Sequence, residues 1–406
     1  MLKSNRLRTQ KFNIALLDDQ MQITKEVTVK TSETESVVAV PELEGVQKPT
    51  AFLINSGAHG YAKFIYDELS LSAFEKEGSI SKIHNSMERR QIYNILVDMI
   101  KNGKIAGSRA FQIIMNNLES ETAEDVFADN LRANIPIIVN KYTPEDTHEA
   151  KQQLLFDTLM KILVSGRYKD SKSTLELVFT SVLGFAGSES SEKLVYKWLM
   201  VGDISDADGK KLEGVEVTLK QKHAMVKNIF ASKTIDKDSK KAAFEKLKSL
   251  DSSDLLGRTQ KYCESAVPDI EEKGRIFKML LEEEEDIPLT HVQEMCLGMR
   301  QFGQRDMMVQ LGEYFFEKIE HCISKKAYAL TRYIYLFLQP NMVATKEQID
   351  RFVALKEKIE ARTEAEKIEG NDRLVKWLKE SIQDLEEKKN ARELSQAWEQ
   401  SAGAKL

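Results

Sequence analysis

Apolar and polar residues alternate along the first part of the chain, at the two-residue period of half-buried strands. Phe12, Ile14 and Leu16 share one face of the first such segment, and Asp18-Asp19-Gln20 supplies a turn after it. The alternation continues in residues 23–29, 36–40, 52–55 and 61–66. The pattern predicts four or five short strands, which form a small antiparallel β-sandwich in a domain of residues 1–67.

From about Asp67 onward, apolar residues recur at helical spacing instead. Ser86 is predicted to cap a helix that stops at Gly103, and Thr143-Pro144 is predicted to start another that runs to Gly166. Later helices are predicted at residues 190–200, 216–231, 240–250, 271–282, 290–301, 304–321, 325–338, 346–362 and 372–392. The chain is therefore predicted to be mainly α-helical.

Helices of this length cannot each bury an apolar stripe alone, so successive antiparallel pairs are expected to stack sideways. We therefore predict an α-solenoid-like superhelical domain, shaped as a bowl, over residues 68–406. No strict sequence period accompanies it, and the prediction depends on helix length and loop spacing.

The composition and charge of the chain exclude several classes of protein. The 406 residues are 42% hydrophobic, which excludes global disorder, and the formal net charge is only −5. A chain so nearly neutral indicates no nucleic-acid partner. Three cysteines are too few for a disulfide framework, so they are predicted to be small core residues in a reducing compartment. With no apolar run long enough to span a bilayer, the expectation is a cytoplasmic protein with no membrane partner.

The residues that zinc peptidases need on one helix are missing. Such a helix carries two histidines four residues apart, with a glutamate that activates the bound water. The chain has six histidines, and the closest two are 25 positions apart. His148-Glu149 begins the motif correctly, but Gln152 stands where the second histidine belongs. We therefore predict no catalytic residue, no metal ligand and no cofactor within this chain.

Other patterns favour ordinary structural explanations. Asp206 to Gly209 looks like a calcium loop but lacks the closing acid, so a polar turn is predicted. Gly298 and Gly303 have the glycine spacing of a phosphate loop without its lysine, and chance explains them better. The lysine-rich residues 220–248 contain only two aromatics, so a solvated helix face is favoured over a nucleic-acid surface.

Several segments, in order, resemble the carboxy-terminal region of aminopeptidase N-type zinc metallopeptidases, which comprises part of a β-sandwich and a helical domain. Leu53-Ile54-Asn55, Gly60-Tyr61-Ala62-Lys63 and Asp67 to Leu71 resemble the junction between that family's β-sandwich and helical domain. The remaining similar segments are Leu7-Arg8, Ile14 to Asp18, Glu88-Arg89-Arg90, Val97 to Met99, Phe302 to Gln304, Tyr314 to Phe316, and Arg373 with Glu380 and Asp384. The resemblance extends over nearly the whole chain, but the family's zinc-binding catalytic domain has no counterpart in it.

The resemblance implies a role beside a catalytic domain. In such enzymes the helical bowl closes over the zinc site and restricts which peptides enter. The chain is then expected to be a non-catalytic carboxy-terminal region with a partial β-sandwich, as a fragment, a truncated product or a split subunit. Alone it would be inactive, and its partners would be peptides and a catalytic domain in cis or in trans. Asn55, Tyr61, Lys63 and Asp67 are the family-matching positions, expected to fix the corner between sandwich and helices; no substrate-binding residue is assigned.

Two alternatives remain open at this stage. The chain could be a stand-alone helical-repeat scaffold that binds a peptide or another protein on its concave surface. A weaker alternative, a nucleic-acid binder, depends on the lysines of residues 220–248. An upstream reading frame with His-Glu-x-x-His would favour the enzyme fragment over the scaffold.

Overall fold

The computed structural model describes residues 8–34, 37–283, 287–363 and 365–402. Three strands come first: β1 (Lys11–Leu17), β2 (Ile23–Lys30) and β3 (Ala51–Ser56). Helices follow at α1 (Glu68–Phe74), α2 (Ser86–Lys101), α3 (Gly107–Leu118), α4 (Glu124–Asp129), α5 (Ile135–Ile137), α6 (His148–Val164), α7 (Lys172–Phe185), α8 (Glu189–Val201) and α9 (Leu219–Ala231). The remainder are α10 (Lys237–Lys248), α11 (Asp254–Ala266), α12 (Ile270–Glu282), α13 (Leu289–Met299), α14 (Arg305–Gln310), α15 (Gly312–Lys325), α16 (Tyr328–Leu338), α17 (Lys346–Glu360) and α18 (Asn371–Ala402). The predicted fold class, mainly helical with a small antiparallel sheet first, is confirmed.

The sheet has the order β2-β1-β3, and both pairings are antiparallel. The predicted turn after β1 is present, because the Asp18 carboxylate accepts hydrogen bonds from the backbone N–H groups of Gln20 and Gln22. As the central strand, β1 is covered on both faces near its end, where Ala15, Leu16 and Leu17 are all buried.

Two predicted strand segments are not strands. Residues 37–40 are irregular and lead into a short 3₁₀ turn at Pro41–Leu43, while Ser36 lies outside the described residues. Residues 61–66 are also irregular, because side chains rather than a neighbouring strand accept from their backbone: Tyr61 N–H donates to Gln10 Oε1, and Tyr66 N–H to the Met99 sulfur. The described chain therefore contains one three-stranded sheet and no second sheet of a sandwich.

Helices pack against the free side of β3. The Phe52 N–H donates to Ser70 Oγ on α1 at 2.9 Å, and Gln91 Nε2 on α2 donates to the Asn55 carbonyl at 3.0 Å. These bonds satisfy backbone groups that a further strand would otherwise pair. Strands end at Ser56 and helices begin at Glu68, while the domain boundary at residue 67 stays a prediction.

The chain falls into two compact units, residues 1–148 with 390–406, and residues 149–389. The first unit contains a buried ion pair: Arg89 Nη2 lies 2.8 Å from Glu121 Oε1, and Arg89 Nε donates to both carboxylate oxygens. Arg89 also donates to the carbonyls of Ile83 and His84, and Glu121 accepts from the Ala123 N–H. The pair ties α2 to the turn after α3.

The predicted start at Thr143-Pro144 is wrong. A π-helical segment, Ile138–Tyr142, ends at Thr143, whose hydroxyl donates to the Val139 carbonyl at 2.8 Å. Thr143 therefore closes the preceding helix, and α6 begins only at His148. The predicted end is close to the observed one, since α6 stops at Val164 and Gly166 takes a positive φ of 69°.

In the second unit, alternate helices pack side by side. α9 packs against α7 and α11, α11 against α13, and α13 against α16. The intervening helices form other neighbouring pairs, α8 with α10 and α12 with α15. Every one of these contacts lies within residues 149–389.

In two successive pairs of helices, a lysine on the second helix donates a hydrogen bond to a carbonyl at the carboxyl end of the first. Lys240 Nζ donates to the Ser232 carbonyl at 2.6 Å, and Lys273 Nζ to the Ser265 carbonyl at 2.7 Å, each across eight residues. Asp236 and Asp269 cap the helices that carry these lysines. The two helix pairs α9–α10 and α11–α12 therefore share one local pattern, in which Ser, Asp and Lys follow one another at intervals of four residues.

Lys273 is fully buried, and its partners among the described residues are backbone carbonyls. Its Nζ also donates to the Met299 carbonyl at 3.3 Å, and burial lowers its pKa to about 7. In the unfolded chain the Lys273 amine stays protonated up to pH about 10.5, whereas in the folded chain it loses its proton near pH 7. The free energy of unfolding therefore increases as the pH rises above 7.

Replacing Lys273 with methionine is expected to remove this gain. Between pH 7.5 and 8.5, the free energy of unfolding of the parent chain should rise relative to Lys273→Met by about 1 kcal/mol, near the slope expected for one proton. Urea unfolding at both pH values measures it. Lys278→Met, which removes an exposed lysine from the same helix, should leave the pH dependence of the parent unchanged. Equal slopes in the parent and Lys273→Met would contradict the assignment.

Candidate functional site

Asn55 fixes the irregular segment between β3 and α1, residues 57–67, which we call the corner. It is buried, 5% exposed, and adopts a left-handed backbone conformation with φ of 65°. Its side chain makes two hydrogen bonds to the backbone of Gly60. The Gly60 N–H donates to Asn55 Oδ1 at 2.6 Å, and Asn55 Nδ2 donates to the Gly60 carbonyl at 3.2 Å. Asparagine suits this position because it tolerates positive φ and its amide can both donate and accept.

Tyr61 and Lys63 lie on the outer side of the corner. Tyr61 is 95% exposed, and its backbone N–H donates to Gln10 Oε1. Lys63 Nζ donates to Asn102 Oδ1 at 2.8 Å, which connects the corner to the end of α2. The four family-matching positions therefore divide into a buried organiser, Asn55, and three residues at the surface.

Asp67 is the N-cap of α1, since its carboxylate accepts from the Ser70 N–H at 2.9 Å. Replacing it with alanine leaves that N–H without its partner and is expected to lower the free energy of unfolding by about 1 kcal/mol. Asp67→Asn, which keeps an accepting oxygen, should cost only a few tenths of that. Chemical denaturation of both variants measures the difference, and equal losses would contradict the capping role.

Glu88 links α2 to the same corner. Its Oε1 accepts from the Gly57 N–H at 2.8 Å and from Ser56 Oγ at 3.1 Å, and the residue is 4% exposed. The Ser56 hydroxyl also lies 2.7 Å from Glu26 Oε2 on β2. The corner is thus fixed by polar contacts from strand and helix together.

A buried group in the second unit has the composition of a hydrolase triad. His223 Nδ1 lies 2.7 Å from Thr259 Oγ1, and His223 Nε2 lies 2.9 Å from Asp251 Oδ2. Ser253 donates to the same carboxylate from its hydroxyl and its backbone. Thr259 is fully buried and His223 is 3% exposed, so no substrate carbonyl can reach the hydroxyl.

This group is therefore a structural connection between α9, the turn before α11, and α11 itself. Desolvation lowers the pKa of His223, an effect that the hydrogen bond and charge of Asp251 partly oppose. Hydrogen bonds from Ser253 and His223 lower the pKa of Asp251. A neutral imidazole that donates from Nε2 and accepts at Nδ1 satisfies all three side chains.

Within the described ranges, no group of three or more His, Cys, Asp or Glu side chains could hold a metal ion. His148, which begins the incomplete peptidase motif, is buried and lies 2.9 Å from Asn140 Oδ1 through Nε2. Cys263, Cys296 and Cys322 are free and buried, as predicted for core residues. Burial raises the pKa of all three thiols, so none is a ready nucleophile.

The two loop-like patterns have structural roles. Asp206 Oδ1 accepts from the Lys210 N–H at 2.8 Å within a turn in which Gly209 takes a φ of 84°, so the predicted polar turn is confirmed. Gly298 lies in α13 against α11, where an added Cβ would stand 2.1 Å from Ser265 Oγ. Gly303, its partner in the apparent phosphate-loop spacing, has open space around it.

A sequence model of the family described as "ERAP1-like C-terminal domain" matches residues 51–384. The chain belongs to this family. It is also 21% identical over 338 residues to the protein named aminopeptidase N of Streptomyces lividans, a match that covers 82% of this chain and 37% of that protein. The chain thus spans well under half the length of this relative, and the expected identity as an aminopeptidase N-like carboxy-terminal region is confirmed.

Residues that carried the resemblance have structural tasks in this ERAP1-like domain. Gln304, which is 2% exposed, donates from Nε2 to the carbonyls of Ala231 and Ala266, both at 2.8 Å, and so joins the carboxyl ends of α9 and α11. Of the run Glu88-Arg89-Arg90, the first supports the corner, the second forms the buried pair with Glu121, and the third pairs with Asp129. These motif residues therefore make contacts between helices, or between a helix and the corner after the sheet.

In the described part of this ERAP1-like chain, no helix combines the length and apolarity that crossing a membrane requires.

Sequence reasoning missed the His223–Asp251–Thr259 group and the buried Lys273. His223 lies 28 residues before Asp251 and 36 before Thr259, and the helix that carries Thr259 was not predicted. A recurring Asp followed four residues later by Lys, at 236 and 269, was the available signal for the lysines.

Proposed function

We propose that this chain is the carboxy-terminal, non-catalytic region of an aminopeptidase N-like enzyme, and that it controls which peptides reach the catalytic domain. The observation that carries the proposal is the family match over residues 51–384, most of the described chain. The whole enzyme would remove amino-terminal residues from peptides. Its catalytic domain would be joined to this chain in cis or bound to it in trans.

The chemistry of the chain's own side chains supports this division of labour. Peptide hydrolysis in such enzymes needs a zinc ion held by two histidines one helical turn apart. The six histidines here include no such pair, and His148 and His223 are held by structural hydrogen bonds. The zinc and the general base would therefore come from the catalytic domain.

The packing of the second unit supports a role in peptide access. α9, α11, α13 and α16 pack in succession, each against the next. Helices stacked in this way commonly present their outer faces as one extended binding surface. A surface of this kind can contact a peptide along several residues beyond the scissile bond. Such contacts would act on KM for long peptides and leave single aminoacyl substrates unaffected.

The native protein offers the direct test. Affinity purification from the source cells, followed by peptide mapping, should recover a segment with His-Glu-x-x-His, either covalently continuous with this chain or bound in equal amount. The purified enzyme should also discriminate between long peptides and aminoacyl-coumarins through KM. Recovery of this chain without any such segment would overturn the proposal and favour the stand-alone scaffold.

A further inference from the structure

A cavity of about 330 Å³ lies within the second unit, between α7 and the loop that precedes α9. Its apolar lining consists of Leu175, Phe179 and Val215, and the first two of these side chains are buried. Small-molecule sites in proteins measure about 300–1,000 Å³ and combine an apolar lining with a few polar groups. The cavity therefore has room for a ligand at the small end of that range, and not for a dinucleotide or a long peptide.

Hydrogen bonds and close packing hold the two walls of this cavity together. Gln221, which is 3% exposed, donates from Nε2 to the Glu176 carbonyl at 3.3 Å and so joins α9 to α7. Its Oε1 accepts from the Thr218 N–H at 2.9 Å, which fixes the end of the loop. Gly214 has a φ of 75°, and an added Cβ there would stand 3.2 Å from Leu175 Cδ2, so the loop lies close against α7. The cavity is therefore formed before any ligand binds.

The charged side chains that line the cavity are balanced in sign: Lys169, Lys172, Glu176 and Glu216. Lys172 Nζ lies 3.6 Å from Glu216 Oε2. The Lys169 ammonium and the Glu176 carboxylate have no ionic partner among the described residues, although both line the same cavity. Because the two positive and two negative groups cancel, electrostatic complementarity favours a ligand with one charge of each sign over a phosphate or a polyamine.

We propose that this cavity binds a free α-amino acid with an apolar side chain. The carboxylate of the ligand pairs with the Lys169 ammonium, and its own ammonium pairs with the Glu176 carboxylate. Its side chain covers the apolar lining at Leu175 and Val215, which removes apolar surface from water on both partners. The site goes beyond the proposed function and stands independently of it, although the proposed enzyme would release amino acids of this class as products.

Saturation-transfer difference NMR of the purified chain, titrated with L-leucine, tests the site. We expect a Kd of about 1 mM or lower, an affinity that a ligand of so few atoms can reach. Leucinamide, which lacks the carboxylate, and 4-methylpentanoate, which lacks the ammonium, should each bind at least tenfold more weakly. Equal affinities for the three compounds, or no binding of L-leucine at about 10 mM, would overturn the proposal.

Two variants assign the binding to this cavity. Lys169→Met and Glu176→Gln should each weaken the binding of L-leucine at least tenfold. Both positions are exposed, so neither change should shift the thermal unfolding midpoint, which separates ligand contact from folding. Lys233→Met, which removes an exposed lysine from the turn between α9 and α10, should leave the affinity of the parent unchanged. If the parent, Lys169→Met and Glu176→Gln bind L-leucine equally, the ligand lies elsewhere and the proposal is wrong.

The outcomes also distinguish this site from the proposed function. If L-leucine does not bind but a segment with His-Glu-x-x-His is recovered with the chain, the site is wrong and the function stands. If L-leucine binds and both variants weaken it while no such segment exists, the function is wrong and the site stands.

Discussion

Replacing Glu121 with glutamine is expected to lower the free energy of unfolding by about 3–5 kcal/mol. The change leaves the Arg89 guanidinium charged and without a counter-charge in a site where the two side chains are 5% and 0% exposed. Neither the Ile83 nor the His84 carbonyl can replace a carboxylate that accepts from Arg89 Nε and Nη2. Urea unfolding monitored by far-ultraviolet circular dichroism measures the loss.

Two variants control for this result. Asp129→Asn removes the partner of Arg90, a pair whose side chains are both 41% exposed, and should change stability by less than about 1 kcal/mol. The double change Arg89→Met with Glu121→Leu replaces the buried pair with apolar groups and should recover most of the loss. A Glu121→Gln protein as stable as Asp129→Asn would show that the pair is not buried as described.

Replacing Gly298 with alanine is expected to destabilise the protein by about 1–3 kcal/mol, although alanine favours helices. The new Cβ would lie 2.1 Å from Ser265 Oγ and 2.4 Å from the Tyr262 carbonyl oxygen. Because one of these atoms is backbone, α11 and α13 must move apart to accept the methyl group. Thermal unfolding of the purified variant measures the effect.

The glycine at position 303 provides the matched control. An added Cβ there meets no atom within 4 Å, so Gly303→Ala should change stability by less than about 0.5 kcal/mol. Adding Ser265→Ala to Gly298→Ala should rescue little, because the Tyr262 carbonyl still blocks the methyl group. Full rescue by that second change would place the contact on the serine alone.

The sequence was most informative where one apolar period persisted over many residues. Residues 346–362 were predicted as a helix and form α17, capped by Thr345, and residues 325–338 contain α16. One helix with a regular apolar stripe was missed. In α7, Leu175, Val178, Phe179 and Val182 are buried at positions i, i+3, i+4 and i+7, the spacing of one helix face, yet no helix was predicted there.

Tertiary contacts decided the remaining differences. Residues 304–321 were predicted as one helix, but the chain forms a 3₁₀ turn, α14 and α15, with a break beside Gly312, which lies against Pro340. The pattern of residues 61–66 suits a strand, yet no described strand pairs with this segment, and the side chains of Gln10 and Met99 bind its backbone instead. Neither contact can be read from local sequence.

The sequence predicted where the corner lies, but not which hydrogen bonds hold it. Asn55 and Asp67 were expected to fix the junction. In the structure Asn55 makes two hydrogen bonds to Gly60, and Asp67 caps α1. Glu88 and Gln304 belonged to the recognised motifs, but their partners on Gly57, Ala231 and Ala266 depend on the folded arrangement. A list of matching positions could not assign these contacts.

The proposed function requires that any peptide hydrolysis be performed outside these 406 residues. Its most direct test is the purified chain itself, folded by circular dichroism, equilibrated with zinc, dialysed, and assayed with aminoacyl-coumarin substrates while its metal content is determined. We expect less than a tenth of an equivalent of zinc and hydrolysis equal to the protein-free blank. One equivalent of zinc, together with hydrolysis that a chelator abolishes, would contradict it.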